Sequence, residues 1–422
     1  MAKLHQHICS LLLLVLIRST VQNDDELKCP NNYTSTTTLM RLKRDMFCQY
    51  DRWIRPVKHQ NDSVQVSIKL LVNRIDFNEK TDVLTTNSLF VVEWNDLHVN
   101  WTPSQYDNID YVQVHSWYLW NPDLGILNAV DRTGYGPDLG TSKCLVYYSG
   151  SVVCVPPVKQ TASCSADIKH WPYDVHTCNI VIGSWMHTGE ELNLTILNPP
   201  IELRDFNMNR EWDVARVEGV FSVSWFANNL TYPYVTFKFQ LRRHSGSHAA
   251  SVLLPAAVLM FITLMTYWMD ATNSDRIFLT VLNIFAHFIF LQYLGYMLPS
   301  NGDVTPVVVT FFRDSLVLTL LAFMMAVIGR GLRSSSKPVP LWISAVMNIV
   351  FQSRIGQLIV LHNLDPKAVA ASETSGGEGA DLVNNSERSS TFGWDNFTSL
   401  LNFICFLLSL LTYLILLIGY LP

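Results

Sequence analysis

The chain has 422 residues, 49% of them hydrophobic and only 15% charged. That is too apolar for an ordinary soluble protein and too polar for a pure membrane bundle, so a folded outside domain joined to a few membrane spans is expected. The net charge of −5 argues against a nucleic-acid partner.

The N-terminus carries Lys3, an apolar run from Ile8 to Ile17, then Ser19 and Thr20. This pattern is a cleaved secretory signal over residues 1–22, too short to span a bilayer. Five glycosylation sequons follow in the first half, at Asn32, Asn61, Asn100, Asn193 and Asn229. Together with the signal they point to an extracellular domain over residues 23–245, where disulfides are allowed. That domain holds six cysteines: Cys29, Cys48, Cys144, Cys154, Cys164 and Cys178.

From Leu39 to Tyr50 the pattern is that of an amphipathic helix. Beyond Val57 it changes to short alternating stretches such as Val64–Ile68 and Val235–Phe239, separated by Asn, Asp, Gly and Pro turns. These are strands with one buried face, and their number implies an antiparallel sandwich. At Ala249 the composition shifts. Ala249–Met269, Ile277–Leu298, Val304–Ile328 and Leu400–Tyr420 are expected membrane spans, the third interrupted by Arg313 and Asp314. The domain limits expected are 246–331 for the first three spans, 332–396 for a polar cytoplasmic loop and 397–422 for the fourth span with a short extracellular C-terminus. Within the loop, Leu341–Leu361 is weakly amphipathic and fits a helix on the membrane surface. Arg330, Arg333 and Lys337 place the end of the third span in the cytoplasm, which leaves both termini outside.

Cys164 and Cys178 enclose thirteen residues, with Trp171-Pro172-Tyr173-Asp174 at the centre. A disulfide here closes an extracellular loop whose apolar tip can press on membrane helices, while Asp174 makes a polar contact. His170, Asp174 and His176 do not follow a common zinc spacing. Followed by four spans, this loop resembles the signature of the Cys-loop receptors, the pentameric ligand-gated ion channels. Glu93-Trp94-Asn95-Asp96, Trp120-Asn121-Pro122-Asp123, Gly183-Ser184-Trp185 and Tyr232-Pro233 resemble stretches of nicotinic acetylcholine receptor subunits, in the same order. The implied fold is an extracellular antiparallel β-sandwich with an N-terminal helix, followed by a four-helix transmembrane bundle.

The resemblance implies an aromatic box for a quaternary ammonium ligand at subunit interfaces, because ring faces attract a desolvated cation. Trp185, Trp225 and Tyr232 match positions of the principal face. A further principal position, a Tyr in the family, is Leu127. The adjacent cysteines of alpha-type subunits are absent between Trp225 and Tyr232. On the complementary face, Leu89 stands where Trp is usual, and Val153 and Val155 match apolar positions. The three aromatics either touch agonist or pack as core residues of the sandwich.

Cys144 and Cys154 flank a hairpin centred on Ser149-Gly150, which sets them opposite each other and suits a cross-strand disulfide. Cys29 and Cys48 then pair by exclusion. Glu79 and Arg243 match a family ion pair that couples ligand closure to the membrane helices, alongside Pro172, Asp174 and a segment from Met297 to Asp303 containing Pro299. A surface ion pair without that role is the alternative. The second span matches the pore helix. Asp275 is placed for a ring of acids that favours cations at the inner mouth. Counting at helical spacing, Phe278, Leu282, Phe285 and Ile289 line the wall. Hydroxyl residues are usual where Phe278 and Leu282 stand, so the wall is unusually bulky.

The implied function is a non-alpha subunit of an acetylcholine-gated, cation-selective, heteromeric channel in the plasma membrane, expected to be postsynaptic. Its partners are other nicotinic-type subunits, acetylcholine and membrane lipid, with no metal, no cofactor and no enzymatic motif. The alternatives are a structural or modulatory subunit that binds no agonist, and a receptor for another amine.

Overall fold

The computed structural model describes residues 37–131, 139, 142–225, 230–270, 273–299, 304–335, 338–352 and 382–420. The first helix, α1, covers Thr38–Phe47, and the Thr37 hydroxyl caps it by accepting from the Met40 N–H at 3.3 Å. Its apolar stripe buries Leu42 and Met46 on the sandwich.

Among the described residues eleven strands follow: β1 (Val64–Asn78), β2 (Val83–Asn95), β3 (Tyr111–His115), β4 (Leu124–Ile126), β5 (Lys143–Tyr147), β6 (Ser151–Cys154), β7 (Pro157–Ser163), β8 (Val175–Ser184), β9 (Leu192–Glu202), β10 (Trp212–Trp225) and β11 (Thr231–Arg243). The larger sheet runs β3-β5-β6-β2-β1-β9, with β7 also paired to β2, and the smaller runs β10-β11-β8-β4. Alternation decides which face is buried. Ile68 and Leu70 on β1, Phe90 and Val92 on β2, Ile180 and Ile182 on β8, and Phe237 and Phe239 on β11 all enter one core between the sheets. Each such side chain contributes about 1.5–3 kcal/mol by leaving water. The pairing is antiparallel except between β1 and β9, which run parallel.

The β5–β6 hairpin sets Cys144 opposite Cys154, and the two are disulfide-bonded with Cα atoms 4.3 Å apart. Its turn needs Gly150, whose φ is +88° and whose absent Cβ would lie 2.5 Å from the Asp96 carbonyl oxygen. Cys164 and Cys178 form the second disulfide. Cys48 is also disulfide-bonded, while Cys29 lies outside the described residues.

Helices α2 (Gly246–Met265), α3 (Ser274–Met297) and α4 (Val307–Arg333) are each long and apolar enough to cross a bilayer, as is Trp394–Gly419 within α6 (Leu382–Tyr420). Polar side chains turned into the bundle tie these four together. Asn283 of α3 donates to the Thr263 hydroxyl of α2 at 2.8 Å. His287 of α3 meets the Ser315 hydroxyl of α4 at 2.8 Å, and Ser315 meets the Tyr413 hydroxyl of α6 at 2.8 Å. Lipid offers such groups no partner, so they find each other.

Several limits expected from the sequence move. The first membrane-length helix begins at Gly246, the expected domain limit and three residues ahead of the apolar run at Ala249, and the third extends to Arg333. The last helix starts at Leu382, well inside the segment read as a polar loop. The helix expected over Leu341–Leu361 is α5, Leu341–Gln352, and residues 353–361 lie outside the described set. Ile343 and Met347 of α5 pack with Trp394 and Leu400 of α6, so α5 leans on that helix rather than resting on a membrane surface alone.

Candidate ligand site and its link to the membrane

One end of the smaller sheet gathers the expected aromatics. β8 ends at Ser184, and Trp185 follows with 56% of its surface exposed. The β8–β11 pairing ends with Gly183 opposite Tyr234, two residues from Trp185 on one strand and two from Tyr232 on the other. Tyr232 pairs in turn with Ser224, one residue before Trp225, which is 72% exposed. Leu127, just past β4, donates its N–H to the Val181 carbonyl at 2.8 Å and lies against Gly183. Core aromatics of a sandwich are not exposed to this degree, so Trp185 and Trp225 are surface groups.

Trp185 has a built seat. A Cβ at Gly125 would fall 1.9 Å from its indole nitrogen, so the ring lies directly on bare backbone of β4. Asp123 anchors the loop that carries it. One carboxylate oxygen accepts from the Ser184 hydroxyl at 2.7 Å and from His187 Nδ1 at 2.7 Å, and the other accepts from the Met186 N–H at 2.8 Å.

Leu89 and Val153 lie on the larger sheet, on the face turned away from the core, and Val155 follows in the short connection between β6 and β7. Val153 sits opposite Glu93, Leu89 sits opposite Pro157, and Val155 is exposed. The aromatic set and this aliphatic set therefore belong to different sheets of one subunit. Asn61 and Asn100 are exposed and Asn193 is half-buried, while Asn32 and Asn229 lie outside the described residues.

Below the sandwich, Arg243 ends β11 with its side chain 1% exposed. Its Nε donates to Asp174 Oδ1 at 2.8 Å and its Nη2 to Asp174 Oδ2 at 2.9 Å. Nη2 also donates to Glu79, and Nη1 donates to Glu211 at 2.8 Å. The guanidinium carbon lies 4.3 Å from the centre of the Trp212 ring. His176 completes the cluster. Its Nδ1 accepts from the Asp167 N–H at 3.3 Å, so Nε2 carries the proton that it donates to Asp174 at 2.5 Å.

The electrostatics follow from burial against pairing. Burial disfavours the Asp174 carboxylate, but the His176 bond and then Arg243 outweigh it and hold its pKa at about 2. For Glu79 burial wins over Arg243, and the carboxyl is raised. Burial also lowers Arg243, yet Asp174 and then Glu79 more than restore it.

The Cys164–Cys178 loop carries this cluster onto the helices. Trp171 is buried in one apolar cluster with Val252 of α2, Leu298 at the end of α3 and Val308 of α4, and its ring lies 5.4 Å from that of His248. The Val307 N–H donates to the Lys169 carbonyl at 3.0 Å. Pro172 and Pro299 are both buried; residues 300–303 lie outside the described set, and the contacts of the loop tip run through Leu298 and Val307. A second link starts beside Glu79. Lys80 Nζ donates to the Tyr296 carbonyl at 2.9 Å and lies 5.0 Å from that ring's centre.

Residues 39–245 match the family described as the neurotransmitter-gated ion-channel ligand binding domain. This chain therefore carries the ligand-binding domain of a neurotransmitter-gated ion channel. It is 26% identical over 352 residues to the human neuronal acetylcholine receptor subunit alpha-5, covering 82% of this chain and 73% of that one. It is 28% identical over 325 residues to the non-alpha-2 subunit of Carassius auratus, covering 76% and 69%. Against the human beta-3 subunit it is 28% identical over 307 residues, covering 72% and 66%. As a Cys-loop receptor subunit it is part of a ligand-gated ion channel and a multi-pass membrane protein.

In this receptor subunit α3 has two distinct faces. Asp275, Phe278, Leu282, Phe285 and Ile289 are all exposed, at intervals of three and four residues. Arg276, Thr280, Asn283, His287 and Leu294 are buried on the opposite side. Asp275 stands in the first turn, with its N–H bonded to the Asn273 side chain at 2.9 Å. Several residues of the junction and the Trp185 seat escaped the sequence: Glu211, Trp212, Lys80 and His187; His176 stood out there only as a metal-ligand type, not as a partner of Asp174. Only for Glu211 and Trp212 was there a local cue, a charged and aromatic pair opening a strand.

Proposed function

We propose that this chain is a non-alpha subunit of an acetylcholine-gated, cation-selective, heteromeric pentamer in the postsynaptic plasma membrane, with both termini outside. The observation that carries it is the division of the ligand set between two sheets. Exposed Trp185 and Trp225, with half-buried Tyr232, form an aromatic edge, and Leu89, Val153 and Val155 form an aliphatic patch elsewhere on the same subunit. In a closed ring each interface joins unlike faces of two neighbours, so one subunit's aromatics meet the next subunit's patch. Here the patch supplies no ring for a cation. A partner subunit with a complete aromatic half supplies what this chain lacks.

The exposed face of α3 is assigned to the pore. Five Asp275 carboxylates, or fewer in a mixed ring, would concentrate cations at the inner mouth. Glu79, Asp174 and Arg243, with Pro172 and the Leu298–Pro299 turn, are assigned to coupling, since they join the sandwich to the tops of the helices. The chemical name of the ligand rests on the relatives, which are acetylcholine receptor subunits.

Leu127 favours one alternative, a subunit that shapes the pore and binds no agonist, because an aliphatic side chain stands inside the aromatic edge. The test is acetylcholine-evoked current from this chain alone and with an alpha-type partner, with surface labelling in both cases. Current that appears or changes permeation only with the partner supports the heteromeric role. If Trp185→Ala then leaves the concentration dependence unchanged, the alternative holds. A large acetylcholine current from this chain alone would overturn the heteromeric proposal.

A further inference from the structure

We propose that His187 is a positioning residue for Trp185: by holding Asp123 it fixes the backbone that aims the indole at the ligand. This rests on the proposal that Trp185 faces a cationic ligand. Trp185 lies one residue beyond the end of the β8 ladder, where regular strand pairing to β4 stops at Ser184 and Leu124. A more than half-exposed indole there needs something else to set its direction.

The substitute is the Asp123 carboxylate. Its bond to the Met186 N–H fixes the peptide that follows Trp185, and its bond to the Ser184 hydroxyl fixes the residue before. The Ser184 oxygen accepts in turn from the His187 N–H at 2.8 Å, closing the turn. Asp123 is itself partly exposed, with 29% of its side chain open to solvent. A carboxylate at such a site can rotate toward water unless a second donor holds it. His187 Nδ1 is that donor, on the same oxygen that Ser184 uses. Because the carboxylate only accepts, Nδ1 carries a proton here whether the ring is neutral or charged.

With His187 removed, Asp123 turns outward and releases the Met186 N–H. Trp185 then loses its tether on one side and slides off Gly125. The geometry also says which replacement works. Asn carries an N–H on the atom attached to Cγ, as Nδ1 is, and reaches the same oxygen. Gln is polar but places its N–H one bond further out and does not.

The experiment uses the full-length chain assembled with an alpha-type partner, as wild type and as H187A, H187N and H187Q. Amide hydrogen exchange is read over residues 184–187. Loss of one charge-assisted bond is expected to speed exchange at Met186 by about tenfold in H187A and H187Q, with H187N within about threefold of wild type. The half-maximal acetylcholine concentration should rise about fivefold in H187A and H187Q and stay near wild type in H187N. Unchanged exchange in H187A, or H187N exchanging as fast as H187A, would overturn the proposal. W185A runs in parallel. If it leaves the acetylcholine response unaltered, the ligand assignment of Trp185 fails, while the exchange data still decide the role of His187. If H187A does not reach the surface, the contrast between H187N and H187Q decides it.

Discussion

Arg243 and Asp174 form a two-pronged ion pair with both side chains 1% exposed, its N–O distances 2.8 and 2.9 Å. It joins the last residue of β11 to the disulfide loop that rests on the helices. A flat guanidinium matches a carboxylate with two parallel bonds, and a lysine cannot.

Breaking this pair should be costly because the survivor stays buried. Arg243→Ala leaves Asp174, Glu79 and Glu211 without their shared cation, and a loss of about 3–5 kcal/mol is expected. Arg243→Lys should retain the charge and lose the fork, with an intermediate effect. Surface labelling of assembled receptors gives the order wild type, Lys, Ala. Equal surface levels for all three would show that the pair contributes little.

The junction should also respond to acid in a defined window. Asp174 is held at about 2, below the ordinary aspartate value of about 3.9. The unfolded chain therefore binds more protons between those values. The stabilisation is complete above about pH 4 and is lost as pH falls toward 2. Glu79 is raised, so its sign is opposite: the folded state holds the extra proton, and stability falls as pH rises through the interval above the ordinary glutamate value. Thermal midpoints of the purified receptor across pH should show the low-pH decline flattened by Asp174→Asn. Glu79→Gln should flatten the change of opposite sign above about pH 4.3.

Much of this architecture was legible from residue order, because it depends on local period and on disulfide spacing. The Cys164–Cys178 loop, the alternation of β11 and the four apolar runs each declare themselves within one segment. The cluster around Arg243 does not: its pairing with Glu79 came from the family resemblance, and Glu211 from neither resemblance nor pattern. Glu79 lies 164 residues away and Glu211 32 residues away, and nothing in spacing says that one guanidinium serves both along with Asp174. The seat of Trp185 on Gly125 is equally silent, since a glycine in a short strand has many uses. The start of α6 at Leu382 was missed because its first turns are polar and were read as linker.

Gly125 offers a direct test of that seat. Any side chain there collides with the indole nitrogen, 1.9 Å from the position of its Cβ. Trp185 is largely exposed and free to swing out, so Gly125→Ala should spare assembly and displace the ring. The expected result is normal surface expression with acetylcholine sensitivity reduced about tenfold or more, equivalent to roughly 1.4 kcal/mol of lost contact. Unaltered sensitivity would mean that the orientation of Trp185 is not used in binding.

The wall of α3 makes the last prediction. Phe278 and Phe285 are 71% and 63% exposed on the face that also carries Asp275, two helical turns apart. Rings of aromatic side chains at two levels present no hydrogen bonds to a hydrated ion, and a narrow apolar constriction empties of water. On the proposed pore assignment, acids at the mouth would concentrate cations without letting them through. Phe278→Ser removes the lower constriction and restores a hydroxyl at that level, and Phe285→Leu narrows the side chain at the upper one. The double variant expressed alone should reach the surface as wild type does. With an alpha-type partner it should raise single-channel conductance, since each copy of this chain removes two bulky positions from a mixed ring. Conductance is read rather than total current, because it is independent of how many receptors assemble. An unchanged conductance in the mixed channel would place this face of α3 somewhere other than the pore.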